Sequence, residues 1–325
     1  MTPARAATVR ETEAWFVRNG LPYFVPGQRD VVRRGLGRAR LVPGLGLALL
    51  VGVAAGVLWG LWVRDVSGGI SVGLVVLALQ VLLYAGSALR FRPIARWAVS
   101  QTLQSLGLLF PLATRALPLL LLFVTFLFIN TEVWMVAGSL DVGLLAIAVM
   151  LFAAMAVGFL LVRLPEELDE VDDEIHDDRL VAACQGTPAA AAAPEVAGAV
   201  EHQAHVEVTG YEKANLILVL LVSQVVQVLL LSLAVLGFFL VFGSLVMQDE
   251  VVKTWLGHPP HQLLGGLTTE LVKVSVFLAG FSGLYFTVYA VTDDTYREQF
   301  FTSVTRELER AVAVRAVYQV LREDT

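Results

Sequence analysis

A 325-residue chain in which 57% of residues are hydrophobic and 16% charged is too apolar for a soluble domain, where roughly a quarter carry charge. Its net charge of −6 is unevenly spread: residues 1–40 hold eight arginines against three acids, while 13 of the 29 acids fall within residues 163–213. One cysteine, Cys184, excludes an internal disulfide and a cysteine-built metal site, and no basic soluble face is present to grip a nucleic acid.

Several apolar runs reach about 20 residues or more, the length that crosses roughly 30 Å of hydrocarbon at 1.5 Å per helical residue. They are continuous rather than alternating, which favours helices over a barrel. The expected fold is all-α: a polytopic helical membrane protein with about six transmembrane helices.

Residues 1–40 form an N-terminal amphipathic segment, with a short helix over 8–19 and then the apolar piece Leu21-Pro22-Tyr23-Phe24-Val25. Its aromatic residues beside arginines suit either the headgroup level of a membrane or a cap on the helix bundle. The first span, 41–63, carries a small residue at every fourth position: Gly44, Ala48, Gly52, Gly56 and Gly60. Such a row lets another backbone approach closely, from a second copy in a homo-oligomer or from a neighbouring helix of the same chain.

A tight turn over 64–69 leads to a second span at 70–89, and Arg90, Arg92, Arg96 and Arg115 follow without an acid between them. The third span is expected as one helix over 117–137, passing through Asn130, Thr131 and Glu132. A carboxylate at that depth is either a functional group or one that reaches the interface. The fourth span is 142–162, which places transmembrane helices one to four within 41–162.

Residues 163–213 form an acidic loop. Leu168, Val171 and Ile175 recur at helical spacing up to residue 184, and the Ala-rich stretch 185–209 reads as a flexible linker. Asp169, Asp173 and Asp177 share a helical face, but no glycine appears before Gly186 to form a calcium loop, so the face reads as solvated acid.

Helices five and six lie within 214–291. The fifth, 215–246, places Ser223, Gln224 and Gln227 inside an aliphatic run. The two amides share a face that either lines a polar pathway or bonds a facing helix. Residues 247–268 contain Trp255 and the turn His258-Pro259-Pro260-His261. Glu270 and Lys273 open the sixth span, 271–291, as an expected ion pair at i, i+3. Asp293 and Asp294 then cap a C-terminal amphipathic helix within 292–325, with Phe301, Val304, Leu308, Ala311, Val314, Tyr318 and Leu321 on one stripe.

With six spans, 20 of the 23 basic residues fall on one side, leaving Arg64, Lys253 and Lys273 on the other. Basic residues in short loops mark the cytoplasmic face, so both termini and the acidic loop are expected there. Twenty arginines against three lysines, with much Ala, Val and Gly, suggest a GC-rich bacterial genome, a bias of codons rather than a functional signal. There is no phosphate-binding loop, no His-Glu-x-x-His and no Gly-x-Ser-x-Gly, so no cofactor, metal or catalytic residue is assigned and the chain reads as no enzyme.

Three further stretches stand out: Gly20 to Val25; Ala116-Leu117-Pro118 running on to Phe128-Ile129-Asn130-Thr131-Glu132-Val133-Trp134; and Gly283-Leu284-Tyr285-Phe286-Thr287 before Thr292-Asp293. In these the chain resembles a family of actinobacterial multipass membrane proteins to which no activity is assigned. The resemblance implies a plasma-membrane location. The functional expectation is a non-catalytic scaffold or sensor whose partner is the lipid bilayer. The alternative is a small channel or transporter with a polar pathway along the fifth helix.

Overall fold

The computed structural model describes residues 3–104, 121–173, 177–195, 208–292 and 309–322. The chain is an all-α multi-pass membrane protein with one short β-hairpin. Helices α1 (Pro3–Arg18) and α2 (Pro26–Gly35) flank a 3-10 turn at Pro22–Phe24. They precede α3 (Arg38–Val63), α4 (Val66–Ala88) and α5 (Phe91–Gln104). Next come α6 (Leu121–Phe128), α7 (Thr131–Ser139), α8 (Val142–Asp173), α9 (Asp177–Ala183) and α10 (Gly210–Val246). The chain continues through α11 (Asp249–Leu256), strands β1 (Gln262–Leu264) and β2 (Leu267–Thr268), α12 (Thr269–Thr292) and α13 (309–322).

Five of these helices are long and apolar enough to cross a membrane: α3, α4, the part of α8 up to Pro165, α10, and α12 as far as Tyr289. The pair α6–α7 makes a sixth if it counts as one broken span. Side chains such as Leu50, Leu58, Leu61, Trp62 and Leu82 stand fully outward on α3 and α4. An apolar surface of that extent suits hydrocarbon rather than water.

The continuous third helix expected over 117–137 is not what forms. Helices α6 and α7 meet at a 74° bend at Ile129–Asn130; residues 117–120 lie outside the described residues. The Asn130 side-chain oxygen accepts from the Glu132 and Val133 N–H groups at 2.8 and 3.3 Å, which makes it the N-cap of α7. Across the break, the indole N–H of the fully buried Trp134 donates to the Phe128 carbonyl at 2.6 Å, satisfying an acceptor that the bend leaves without a helical partner.

The expected turn over 64–69 also shrinks. Only Arg64, in the left-handed region at φ 57°, and Asp65 lie between α3 and α4. Asp65 caps α4 by accepting from the Ser67 and Gly68 N–H groups, both at 3.0 Å. The Ser67 hydroxyl at 2.8 Å is the chief cause holding its carboxyl below the ordinary value.

Two apolar cores sit at opposite ends of the bundle. The near end gathers Phe16, Tyr23 and Phe24 with Ile94, Leu164, Leu216 and residues of α13. The N-terminal segment is therefore a docked cap. Residues 185–195, within the stretch 185–209 expected as flexible linker, instead make a tight run of turns after Cys184 that buries Ala189 and Ala193 beside it in this core, because alanine is small enough to bring the backbone close; residues 196–207 lie outside the described residues. Helix α13 is not buried along one stripe: Ala311 to Tyr318 are buried on every side. A helix buried on every face belongs inside a core, and the one charge in this run, Arg315, is paired there with Glu212. Asp293, Asp294, Phe301, Val304 and Leu308 lie outside the described residues.

The far end packs Phe128, Trp134 and Ala137 against Phe239, Val252, Leu271 and Val274. There the hairpin β1–β2 turns through Gly265 and Gly266, whose φ values of 49° and 84° demand glycine.

Candidate functional site

Polar and ionisable groups that an apolar bundle does not need are the candidates for function, and they gather at three levels.

At the near end, α10 begins at Gly210, so its first turn brings Glu212 into the core at 6% exposure. Arg315 of α13 donates through Nε to one carboxylate oxygen at 2.5 Å, and Arg29 of α2 pairs with the other. One turn on, Asn215 accepts from the Tyr23 N–H at 2.8 Å and donates to the Gly20 carbonyl at 2.9 Å. The Tyr23 hydroxyl donates to the Leu89 carbonyl at 2.6 Å, and Arg29 Nε donates to the Tyr23 carbonyl at 3.0 Å. Tyr318 on α13 donates to Glu13 of α1 at 2.8 Å. Burial pushes the Tyr23 phenol up to about 12 and raises Tyr318 as well, with the neighbouring Glu13 adding to the latter. One carboxylate and one amide on α10 thus fasten the segments that precede the first span and follow the last.

In the middle of the bundle, Ser223, Gln224 and Gln227 are all buried, Gln224 completely. Among the described residues, neither amide atom of Gln224, nor the Gln227 oxygen, nor the Ser275 hydroxyl finds a hydrogen-bond partner. An apolar cavity of about 260 Å³ lies where α8, α10 and α12 meet, lined by residues such as Ala153, Val228, Ser232 and Gly280 rather than by the glutamines. Asn130 and Glu132 do not join this group. Asn130 is the cap already described, and Glu132 is exposed in the first turn of α7, where its charge complements the helix dipole.

The glycine row of α3 faces α4. A Cβ on Gly56 would lie 2.7 Å from the Gly69 carbonyl oxygen and 3.2 Å from the Gly73 Cα; one on Gly52 would meet Leu77 and Gly73. Gly44 lies against Tyr84, and Gly60 against Asp65 and Gly69. Ala48 is buried. The matching row on α4, Gly69 and Gly73 at the same four-residue step, is visible in the sequence but is hidden if residues 64–69 are taken for a turn. An apolar groove of about 500 Å³ runs beside this crossing.

At the far end, Glu270 opens α12 at 2% exposure. The expected ion pair with Lys273 does not form. Glu270 accepts instead from the His261 backbone N–H at 3.0 Å, and its other oxygen lies 2.7 Å from His261 Nδ1. Lys273 donates to the Gly138 carbonyl at 3.3 Å. The reason is geometric: the Pro259-Pro260 turn folds back over the start of α12, and the Thr269 N–H closes it by donating to the His261 carbonyl at 3.0 Å. His258 lies on the same turn, its ring centre 5.8 Å from that of His261. One potential ligand atom from each of His258, His261 and Glu270 lies within 4.8 Å of the other two, the one such trio of metal-ligating residue types among the described residues. His-x-x-His with a glutamate nine residues later was the available signal, and the i, i+3 pairing of Glu270 with Lys273 obscured it.

No protein-family model, curated protein or solved structure matches the chain.

Proposed function

We propose that the chain is a non-catalytic component of the bacterial plasma membrane, a scaffold or sensor that links its cytoplasmic head to its outer face. The observation that carries this reading is the fastening of Glu212 and Asn215 to the segments on either side of the membrane domain. Both residues lie on α10, whose 37 residues extend roughly 55 Å at 1.5 Å each, from that head to the far-end core. A rod anchored at both ends is suited to holding or relaying position. The arginine bias supports a cytoplasmic head.

A channel or transporter is the second reading, favoured by one observation: Gln224 and Gln227 keep amide atoms inside the bundle that have no partner among the described residues. Such groups are retained at a cost of about 1–3 kcal/mol each unless water or a solute meets them.

Purified protein in liposomes separates the two. The scaffold reading expects no ion or solute flux above that of empty vesicles. It also expects a Gln224→Leu, Gln227→Leu double variant to be at least as stable as the parent. Flux that the parent shows and the double variant loses would overturn it.

A further inference from the structure

The geometry points to a binding site for one divalent transition-metal ion of the zinc type at the far end, held by His258, His261 and Glu270. This goes beyond the scaffold or sensor reading and does not depend on it.

The distances come first. A tetrahedral ion with metal–nitrogen bonds of about 2.0–2.1 Å needs donor atoms roughly 3.3 Å apart. The three residues offer donor atoms within 4.8 Å of one another, so closure needs a swing of at most about 1.5 Å. The exposed ring of His258 is the one that swings, while His261 is already held against the buried Glu270.

The frame around the donors is built in advance. Pro259 and Pro260 lock two successive φ angles between the histidines, which reduces the entropy lost on closing the turn. The His261 N–H and the Thr269 N–H pin the turn to the start of α12 at 3.0 Å each. Gln262 ties the next residue to Asp249 of α11, both carboxylate oxygens lying 2.9 Å from its amide nitrogen.

Surrounding hydrogen bonds also suit a metal. His258 Nδ1 lies 3.0 Å from the Pro259 carbonyl. A proton held on that nitrogen and donated to the carbonyl leaves Nε2 free to ligate, the arrangement usual for metal-bound imidazoles. Between His261 Nδ1 and Glu270 Oε1, 2.7 Å apart, a proton occupies the position that the ion takes; on binding, that proton leaves to solvent and the two atoms move apart to ligand spacing. A loop anchor alone accounts for His261 and Glu270, but it gives no role to the second histidine converging on them.

Two imidazoles and one carboxylate form a borderline donor set. It selects Zn²⁺, Cu²⁺, Ni²⁺ or Co²⁺ over Mg²⁺ and Ca²⁺, which prefer shells of oxygen. Three protein ligands leave a fourth position for water or for a donor from outside the chain.

The test uses the full chain, purified through a tag without histidines, stripped with chelator and titrated with Co²⁺ while the visible d–d bands are followed. About one equivalent should saturate the signal, and Zn²⁺ should abolish it. His258→Ala and His261→Ala should each weaken Co²⁺ binding at least about tenfold. Because Glu270 also anchors the turn, the deciding variant is His258→Ala, whose ring bonds only its neighbour's carbonyl among the described residues. Absence of the bands overturns the site, as does equal binding in His258→Ala, which would place the metal elsewhere, or displacement by excess Mg²⁺, which would mean oxygen ligands.

Discussion

Replacing Gly56 with alanine tests how α3 and α4 are held together. The added methyl would lie 2.7 Å from the Gly69 carbonyl oxygen, and that atom belongs to a backbone that cannot rotate away. Ordinary contact begins near 3.4 Å, so the helices must separate by about 0.7 Å at their closest point, loosening the contacts of Gly52, Gly69 and Gly73 as well. Overpacking of this kind costs about 1–3 kcal/mol. Alanine recovers up to about 1 kcal/mol of helix propensity. With the full propensity gain subtracted from a mid-range cost of about 2 kcal/mol, the net expectation is a loss of about 1 kcal/mol, a fall in melting temperature of a few degrees by the scaling known for folded domains. Gly46→Ala on the same helix is the control, since a methyl there meets nothing within 4 Å and should be neutral or mildly stabilising. Thermal unfolding in detergent, followed by loss of the monodisperse peak on size exclusion, reads both variants. If Gly56→Ala melts with Gly46→Ala, the close crossing contributes no stability. If it shifts oligomer size while stability is unchanged, the row serves contacts between copies instead.

Asn215→Leu removes two buried hydrogen bonds and strands the Tyr23 N–H and the Gly20 carbonyl, so it should cost about 3 kcal/mol and expose residues 1–36 to limited proteolysis; an unchanged cleavage pattern would refute the clasp. Burial pushes the Cys184 thiol up to about 11, so in the folded protein the unreactive protonated form persists until the pH passes that value. Maleimide at pH 8 should therefore label Cys184 only after denaturation, and prompt labelling of the native protein would contradict its place in the core. Glu212→Gln takes away the charge that the buried Arg315 and the partly exposed Arg29 both face, a loss on the order of 3 kcal/mol, chiefly from stranding Arg315, read as a lower melting temperature; parity with the parent would show that the carboxylate is not a fastening.

Periodicity and charge revealed the membrane class, the main spans and the residues at their centres, because hydrocarbon thickness constrains composition directly. Local polar chemistry was harder to read. Asn130, Thr131 and Glu132 interrupt an apolar run, and read as a cap they mark a helix start; averaged over a span they vanish. The same averaging turned Gly68 and Gly69 into a loop, although Asp65 was there to cap a helix containing them. Alanine misleads for a different reason. Polyalanine looks like a linker when no core is in view, yet it is also the residue that packs closest once a core exists. Glu212 and Asn215 are beyond the reach of local reading, since their partners lie 183 to 195 residues back along the chain or, for Arg315, 103 residues ahead, and nothing local marks the pairing. His258 and His261 were seen, but as a turn, because their convergence on Glu270 depends on how the turn folds back.

The near-end core closes a loop through the whole chain: Tyr318 meets Glu13 across 305 positions of sequence. Phe16, Tyr23 and Phe24 are synthesised before α13, which supplies one wall of their core. Until α13 docks they present an exposed apolar surface. The two flanking segments therefore depend on each other: a chain whose α13 cannot dock would leave the aromatic residues of the near-end core open to proteolysis.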